Sequence, residues 1–109
     1  MSETQTRPAA VPTVQEDNER VRVTEWRFAP GAATGFHTHE WDYVVVPQTD
    51  GRLKLLDGAG AASSATLTAG LSYYRRAGVQ HDVINDGDRE LVFVEVEIKA
   101  HPIEGEGEA

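Results

Sequence analysis

Apolar and polar residues alternate with a period of two through most of this chain, and Gly, Pro, Asn and Asp interrupt the alternation about every eight to twelve residues. The last alternating segment is the cleanest: one face would carry Val92, Val94, Val96 and Ile98, and the other Leu91, Phe93, Glu95 and Glu97. Because successive side chains of a strand point to opposite faces, the pattern predicts an all-β protein, built as an antiparallel sandwich or barrel.

Seven strands and no helix are predicted, over residues 21–28, 37–46, 52–57, 65–67, 71–75, 82–84 and 90–99. Turn-forming pairs such as Pro30-Gly31, Asp50-Gly51 and Asp57-Gly58 separate them. A single domain over residues 20–99 follows, which suits a chain of 109 residues.

The two ends of the chain are polar. Residues 1–19 contain two prolines and an acidic cluster, and they are predicted to be a flexible arm, or a strand that orders only against a partner. Residues 100–109 are rich in Glu and Gly and are predicted to be a disordered acidic tail, with His101 solvated.

Composition excludes several classes of function. The formal net charge of −8 argues against a nucleic-acid partner, whose phosphates need clustered Lys and Arg. The chain has no run of about eighteen apolar residues and no apolar signal-peptide core near Met1, so a cytoplasmic protein without membrane contact is expected. Cysteine is absent, which leaves neither disulfides nor thiolate metal ligands.

Three histidines carry the candidate chemistry. His37 and His39 are two residues apart in a predicted strand, so both imidazoles can face one point. A third imidazole from His81 would complete a set of three nitrogens suited to a divalent transition metal such as Fe, Zn, Ni, Mn or Cu. Taken alone, the His37-Thr38-His39 run is also compatible with an exposed pair that has no metal-binding function.

The spacing around these histidines resembles the two motifs of the cupin family. In the first motif Gly31 precedes His37 and His39, and Gly51 ends it. The second has matching positions at Gly70, Arg76, Gly78, His81 and Asn85. The chain departs from the pattern twice: Arg76 replaces a proline, and the glutamate of the first motif is missing. That glutamate would fall at Tyr43 or Val44, and Tyr43 is favoured because it shares strand parity with the histidines.

The resemblance implies a cupin double-stranded β-helix, which is a jelly-roll barrel with a metal inside its mouth, and a homodimer joined through sheet edges. It implies His37, His39 and His81 as the metal ligands. Tyr43 would place a phenol beside the metal and is the candidate catalytic residue, whereas the parity of Asp42 sends it to the opposite face. Segments 23–31 and 39–47 are also similar to a group of small bacterial cupins, some of which are named for β-alanine degradation.

Three functions remain open at this point. The first is a metal-dependent enzyme, with dioxygenase as the first choice, acting on a small carboxylate-bearing metabolite. Arg75 and Arg76 point opposite ways on a strand, so one of them could face that carboxylate. The second is a ligand-binding or sensor protein without chemistry. The third is a metal-free cupin in which the imidazoles act as acid and base.

Other polar residues of the core are expected to be structural. Asn85 is predicted to form a turn with Asp86 and Gly87 rather than to belong to the site. Arg27, Glu95 and Glu97 are predicted to lie on a solvated face or in a cross-strand ion pair. The alternative is that Glu95 or Glu97 enters the barrel as a general base, at the cost of burying a carboxylate.

Overall fold

The computed structural model describes residues 7–99, and these residues form nine strands. In chain order the strands are β1 Val11–Asp17, β2 Val21–Phe28, β3 His37–Thr38, β4 Asp42–Pro47, β5 Gly51–Leu56, β6 Ala62–Leu67, β7 Tyr73–Arg75, β8 Gln80–Ile84 and β9 Leu91–Ile98. This part of the chain contains no helix long and apolar enough to cross a membrane.

The strands form two antiparallel sheets. One has five strands in the order β1-β2-β9-β4-β7, and the other has four in the order β3-β8-β5-β6. Buried apolar side chains from both sheets form one core, which includes Phe28, Tyr43, Leu53, Leu67 and Phe93. The all-β prediction is confirmed, and the chain alternates between two facing sheets as in a jelly roll.

The predicted strand over residues 37–46 is two strands that belong to different sheets. After Thr38 the chain leaves the four-stranded sheet, and at Asp42 it joins the five-stranded sheet. Continuous strand parity would put Trp41 on the same face as His37 and His39, but it fails at this break between strands. Its indole instead lies 5.3 Å from the cationic groups of both Arg22 and Lys99.

Residues 11–17 correct the expectation of a flexible arm, because they form β1 and pair with β2 of the same chain. Every residue of this outermost strand is exposed, so it needs no apolar alternation, and its sequence carries no strand signal. The exposed Val11 and Val14 lie on this sheet edge, and the homodimer stays a prediction. Residues 1–6 of the arm and the tail 100–109, with His101, lie outside the described residues.

Asn85 is a structural residue, in agreement with its predicted turn, and it is only 1% exposed. Its side-chain amide donates to the carbonyls of Phe28 at 3.1 Å, Ala29 at 3.3 Å and Arg89 at 2.7 Å. Its Oδ1 accepts from the Gly87 amide at 3.1 Å. One side chain thereby joins the end of β2 to the turn that leads into β9.

We expect Asn85→Ala to destabilise the protein by about 2–4 kcal/mol, because it leaves the buried Phe28 carbonyl and the partly buried Ala29 and Arg89 carbonyls without this donor and empties a buried site. The measurement is the free energy of unfolding from urea titration. The matched control is Asn18→Ala, which removes an exposed turn-forming side chain that accepts from the amides of Arg20 and Val21. That change should cost about 1 kcal/mol or less. Equal losses for the two variants would contradict the structural role given to Asn85.

Candidate metal centre

The backbone pairing of β3 with β8 brings the three histidines together. His37 lies directly opposite His81 in this antiparallel pair. Beyond the end of β3, the His39 amide donates to the Val79 carbonyl at 2.9 Å, and the Gly78 amide donates to the His39 carbonyl at 2.7 Å. His39 is therefore held beside β8 as well, with its side chain on the same face as that of His37.

The three imidazoles converge through their Nε2 atoms. The Nε2 of His39 lies 3.1 Å from that of His37 and 3.2 Å from that of His81. When two nitrogens bind one metal ion through bonds of about 2.1 Å and the nitrogen–metal–nitrogen angle is about 90°, the nitrogens lie about 3.0 Å apart. The arrangement fits three ligands on one face of a metal ion, and the residues predicted as ligands are the ones that meet.

The hydrogen bonds of His37 determine which of its nitrogens is free to bind. Its Nδ1 lies 2.9 Å from the carbonyl oxygen of Gly35, which can only accept, so Nδ1 carries the proton. The Nε2 of His37 then has an unprotonated lone pair directed at the centre of the cluster. A backbone carbonyl that orients a metal-binding imidazole in this way is common around protein metal sites.

Burial keeps the other two imidazoles neutral. Desolvation, followed by the charges of His37 and His81, lowers the pKa of His39 to about 3. Desolvation, followed by the charges of His37 and Arg75, lowers the pKa of His81 to about 4. Both side chains are therefore uncharged at neutral pH, as a metal ligand must be.

Tyr43 lies next to the cluster, and its ring contacts His39. The two rings are stacked, with centroids 3.9 Å apart and planes 16° from parallel. Tyr43 is 3% exposed, and desolvation followed by the nearby charge of Glu95 raises the pKa of its phenol. The side chain thus supports the His39 ring and remains a neutral phenol, and its catalytic role stays a prediction.

The structure places Glu95 and Glu97 inside the barrel, which corrects the expectation of a solvated face. Glu95 is 8% exposed, and its Oε2 lies 3.9 Å from the Nε2 of His39. At this distance, and with a neutral imidazole, the contact is neither a hydrogen bond nor an ion pair. The alternation of β9 did place both carboxylates on one face with Phe93, but only the fold shows that this face is the inner one. Arg27 lies outside, paired with Glu25 and Glu90.

The histidines lie on the wall of a cavity of about 620 Å³ between the two sheets. Aromatic and aliphatic side chains line much of it, among them Trp26, Leu53, Leu55, Val83 and Phe93. Of the arginine doublet, Arg75 lines the cavity and Arg76 does not. The Arg75 guanidinium stacks over the Tyr73 ring at 4.5 Å and is near enough to lower the pKa of His81.

Comparison with known proteins agrees with this fold. The Cupin domain family matches residues 24–97, which include both histidine motifs and most of both sheets. The chain belongs to the cupin family.

Two relatives are close. The chain is 62% identical over 93 residues to the "Beta-alanine degradation protein BauB" of Pseudomonas aeruginosa, across 85% of this chain and 97% of that protein. A crystal structure of a cupin domain from Bordetella pertussis is 59% identical, with a TM-score of 0.84 over 89% of this chain and all of that one. A double-stranded β-helix protein from Klebsiella pneumoniae shares the fold at 20% identity, with a TM-score of 0.70 over 88% of this chain and 82% of that one.

The raised pKa of Glu95 predicts how the stability of the metal-free protein depends on pH. Burial, followed by the charge of Glu97, raises the pKa of Glu95 from 4.5 to about 7. Between these values the folded chain binds more protons than the unfolded chain, so the contribution of Glu95 to stability is complete below pH 4.5 and is lost as the pH rises through 7. Glu95→Gln removes this loss and should stabilise the chelator-treated protein by about 2–3 kcal/mol at pH 8.

The same substitution should change little at pH 4, where the protonated Glu95 and a glutamine are alike. The buried histidines act oppositely, since their lowered pKa values make stability fall as the pH drops from 6.5 toward 4, but they act equally in both proteins. Glu90→Gln, on the surface, is the control. If the difference in unfolding free energy between the wild type and Glu95→Gln did not depend on pH, the raised pKa assigned to Glu95 would be wrong.

Proposed function

We propose that this protein is a metal-dependent cupin enzyme that acts on a small carboxylate-bearing metabolite, with dioxygenase as the first reaction class to test. The observation that supports it most is the convergence of three Nε2 atoms, 3.1 and 3.2 Å apart, on the wall of a cavity of ligand size. An exposed pair of histidines would have neither the third imidazole nor the enclosing walls.

His37, His39 and His81 would hold the metal. A divalent ion bound there would supply Lewis acidity and open coordination positions for substrate and for O₂ or water. Neutral imidazoles suit Fe, Zn, Ni, Mn and Cu, and the choice among them depends on geometry and availability. The protein's own part is to exclude bulk water with the apolar walls and to orient the substrate against the histidines.

Arg75 is the residue that we assign to the substrate's carboxylate. It projects into the cavity from β7, opposite Tyr43 in the β4–β7 pair, and its charge acts on His81. A guanidinium binds a carboxylate through two parallel hydrogen bonds, which fixes the orientation of a small substrate. The name of the Pseudomonas aeruginosa relative supports a β-alanine-type metabolite, which carries such a group.

Tyr43 is the candidate proton donor. Its ring is fixed against His39, and its phenol keeps its proton at neutral pH because burial raises the pKa. A neutral phenol beside the reacting group can donate a hydrogen bond to a developing negative charge without adding charge of its own.

The proposed function is tested by the metal content of untagged protein, measured by elemental analysis, alongside His81→Ala. We expect about one divalent metal per chain in the wild type and loss of it in the variant, because two histidines alone bind weakly. Turnover of small carboxylates under O₂ is then measured on the metal-loaded protein, with Tyr43→Phe expected to keep the metal and lose activity. Metal without turnover would indicate a ligand-binding cupin, and no metal would refute the proposal.

Arg75→Gln should raise the KM for a carboxylate substrate by about 10–100-fold, because it removes a charged, two-point contact worth about 1.5–3 kcal/mol. The metal content should not change. The matched control is Arg76→Gln, which removes the same charge from the neighbouring position outside the cavity. Equal effects of the two substitutions on KM would show that Arg75 acts through the electrostatic potential of the protein surface and not through contact with the substrate's carboxylate.

A further inference from the structure

Strand β4, where the cupin motif has its glutamate, offers no carboxylate to the histidine cluster. In β4 the inward-facing side chains are Tyr43, Val45 and Pro47, none of which is acidic. The carboxylate of Asp42 is already bound elsewhere, accepting from the Tyr74 hydroxyl at 2.5 Å and from the Ala77 amide at 2.8 Å. No acidic side chain of β4 is available to the histidine cluster.

The neighbouring strand carries two carboxylates on the cavity side. β9 pairs with β4 so that Glu97 lies opposite Tyr43 and Glu95 lies opposite Val45. Residues directly opposite each other in a pair share a face of the sheet, so both glutamates point into the cavity. These carboxylates lie one strand, about 4.8 Å, to the side of the β4 positions at which the family pattern has its glutamate.

Glu95 is the better placed of the two. Its Oε2 lies 3.9 Å from the Nε2 of His39, which exceeds the separation of about 3.0 Å between neighbouring ligand atoms by about one ångström. Its carboxylate groups with His39 and Glu97 but not with all three histidines, so the side chain must move toward the other imidazoles to share one ion with them. It is 8% exposed, and among the described residues no Lys or Arg forms an ion pair with it. The Trp26 side chain hydrogen-bonds to Glu95 but brings no charge. A buried carboxylate without a cation is costly, so its presence beside the histidine cluster indicates a cation as the missing partner.

Glu97 has a different environment, although its carboxylate also lies within 4.8 Å of the His39 ligand nitrogen. It is only half-buried, and it lies opposite Arg22 in the β2–β9 pair. Arg22 in turn lies opposite Asp17 of β1 and donates to it at 3.2 Å. Glu97 thus belongs to a row of alternating charges across the sheet, in which Arg22 and Lys99 oppose the desolvation that raises the pKa of Glu97.

We propose that Glu95 is the fourth protein ligand of the metal centre, supplied by β9 in place of the motif glutamate. The inference rests on the proposed metal site and specifies its donor set as three imidazoles and one carboxylate. The carboxylate cancels one of the two positive charges of the ion. It also adds a hard oxygen donor, which favours Mn²⁺ and Fe²⁺ more than a set of nitrogens alone would.

The test is the affinity of the metal-free full chain for Mn²⁺, measured from the electron paramagnetic resonance signal of the free ion. Removing a partner in the second shell of a metal site costs about 10–100-fold, so losing a ligand in Glu95→Gln should weaken binding by at least about 100-fold. Glu97→Gln and Glu90→Gln remove the same charge nearby and on the surface, and both should change the affinity by less than about 3-fold. The visible spectrum of bound Co²⁺ should change only in Glu95→Gln.

A second measurement uses the unsubstituted side chain, in case Glu95→Gln fails to fold. In protein labelled with ¹³C at the glutamate carboxyls, the infrared difference between Zn²⁺-bound and metal-free samples should show a shifted carboxylate band, and Glu97→Gln should retain it. Unchanged Mn²⁺ affinity in Glu95→Gln, or absence of the band, would overturn the inference while leaving the histidine site intact. Failure of the wild type to bind metal would instead refute the proposed function itself.

Discussion

The pairing of β3 with β8 is the constraint on which the candidate site depends. It places His37 opposite His81, and the hydrogen bonds between His39 and residues 78 and 79 extend the same ladder by one step. Strand spacing is what allows short side chains from two segments to meet at one point. Since β3 has only two residues, the barrel around it must hold this register, and the sharp passage from β3 to β4 joins the two sheets beside the site.

Burial inside the barrel has opposite effects on the two kinds of titratable group in the site. It lowers the pKa of His39 and His81 and so keeps them neutral, which is the form that binds metals, while it raises the pKa of Glu95 and so destabilises the carboxylate. A divalent cation favours the deprotonated form of every ligand. The groups that the fold leaves uncompensated are therefore the ones that a metal would satisfy, which is typical of functional sites rather than of structural cores.

The two sheets contribute different chemistry to the cavity. The four-stranded sheet and its extension carry the imidazoles, and the five-stranded sheet carries Tyr43, Glu95 and Arg75 on its inner face. A substrate between the sheets would meet nitrogen ligands on one side and charged or phenolic groups on the other. This arrangement follows from the jelly roll itself, because the chain crosses from sheet to sheet and places residues close in sequence on opposite walls.

The sequence by itself predicted the fold class and the three histidines that meet in the cavity, because both depend on short-range patterns: the His-X-His spacing, the glycine-punctuated second motif, and strict alternation in β9. It could not determine β1, since a strand exposed on every residue carries no apolar pattern. It could not place Trp41 either, because parity holds only within one unbroken strand. Alternation divides β9 into two faces without saying which is inner; only the packing of two sheets decided that Glu95 is buried beside His39 while Arg27 remains outside.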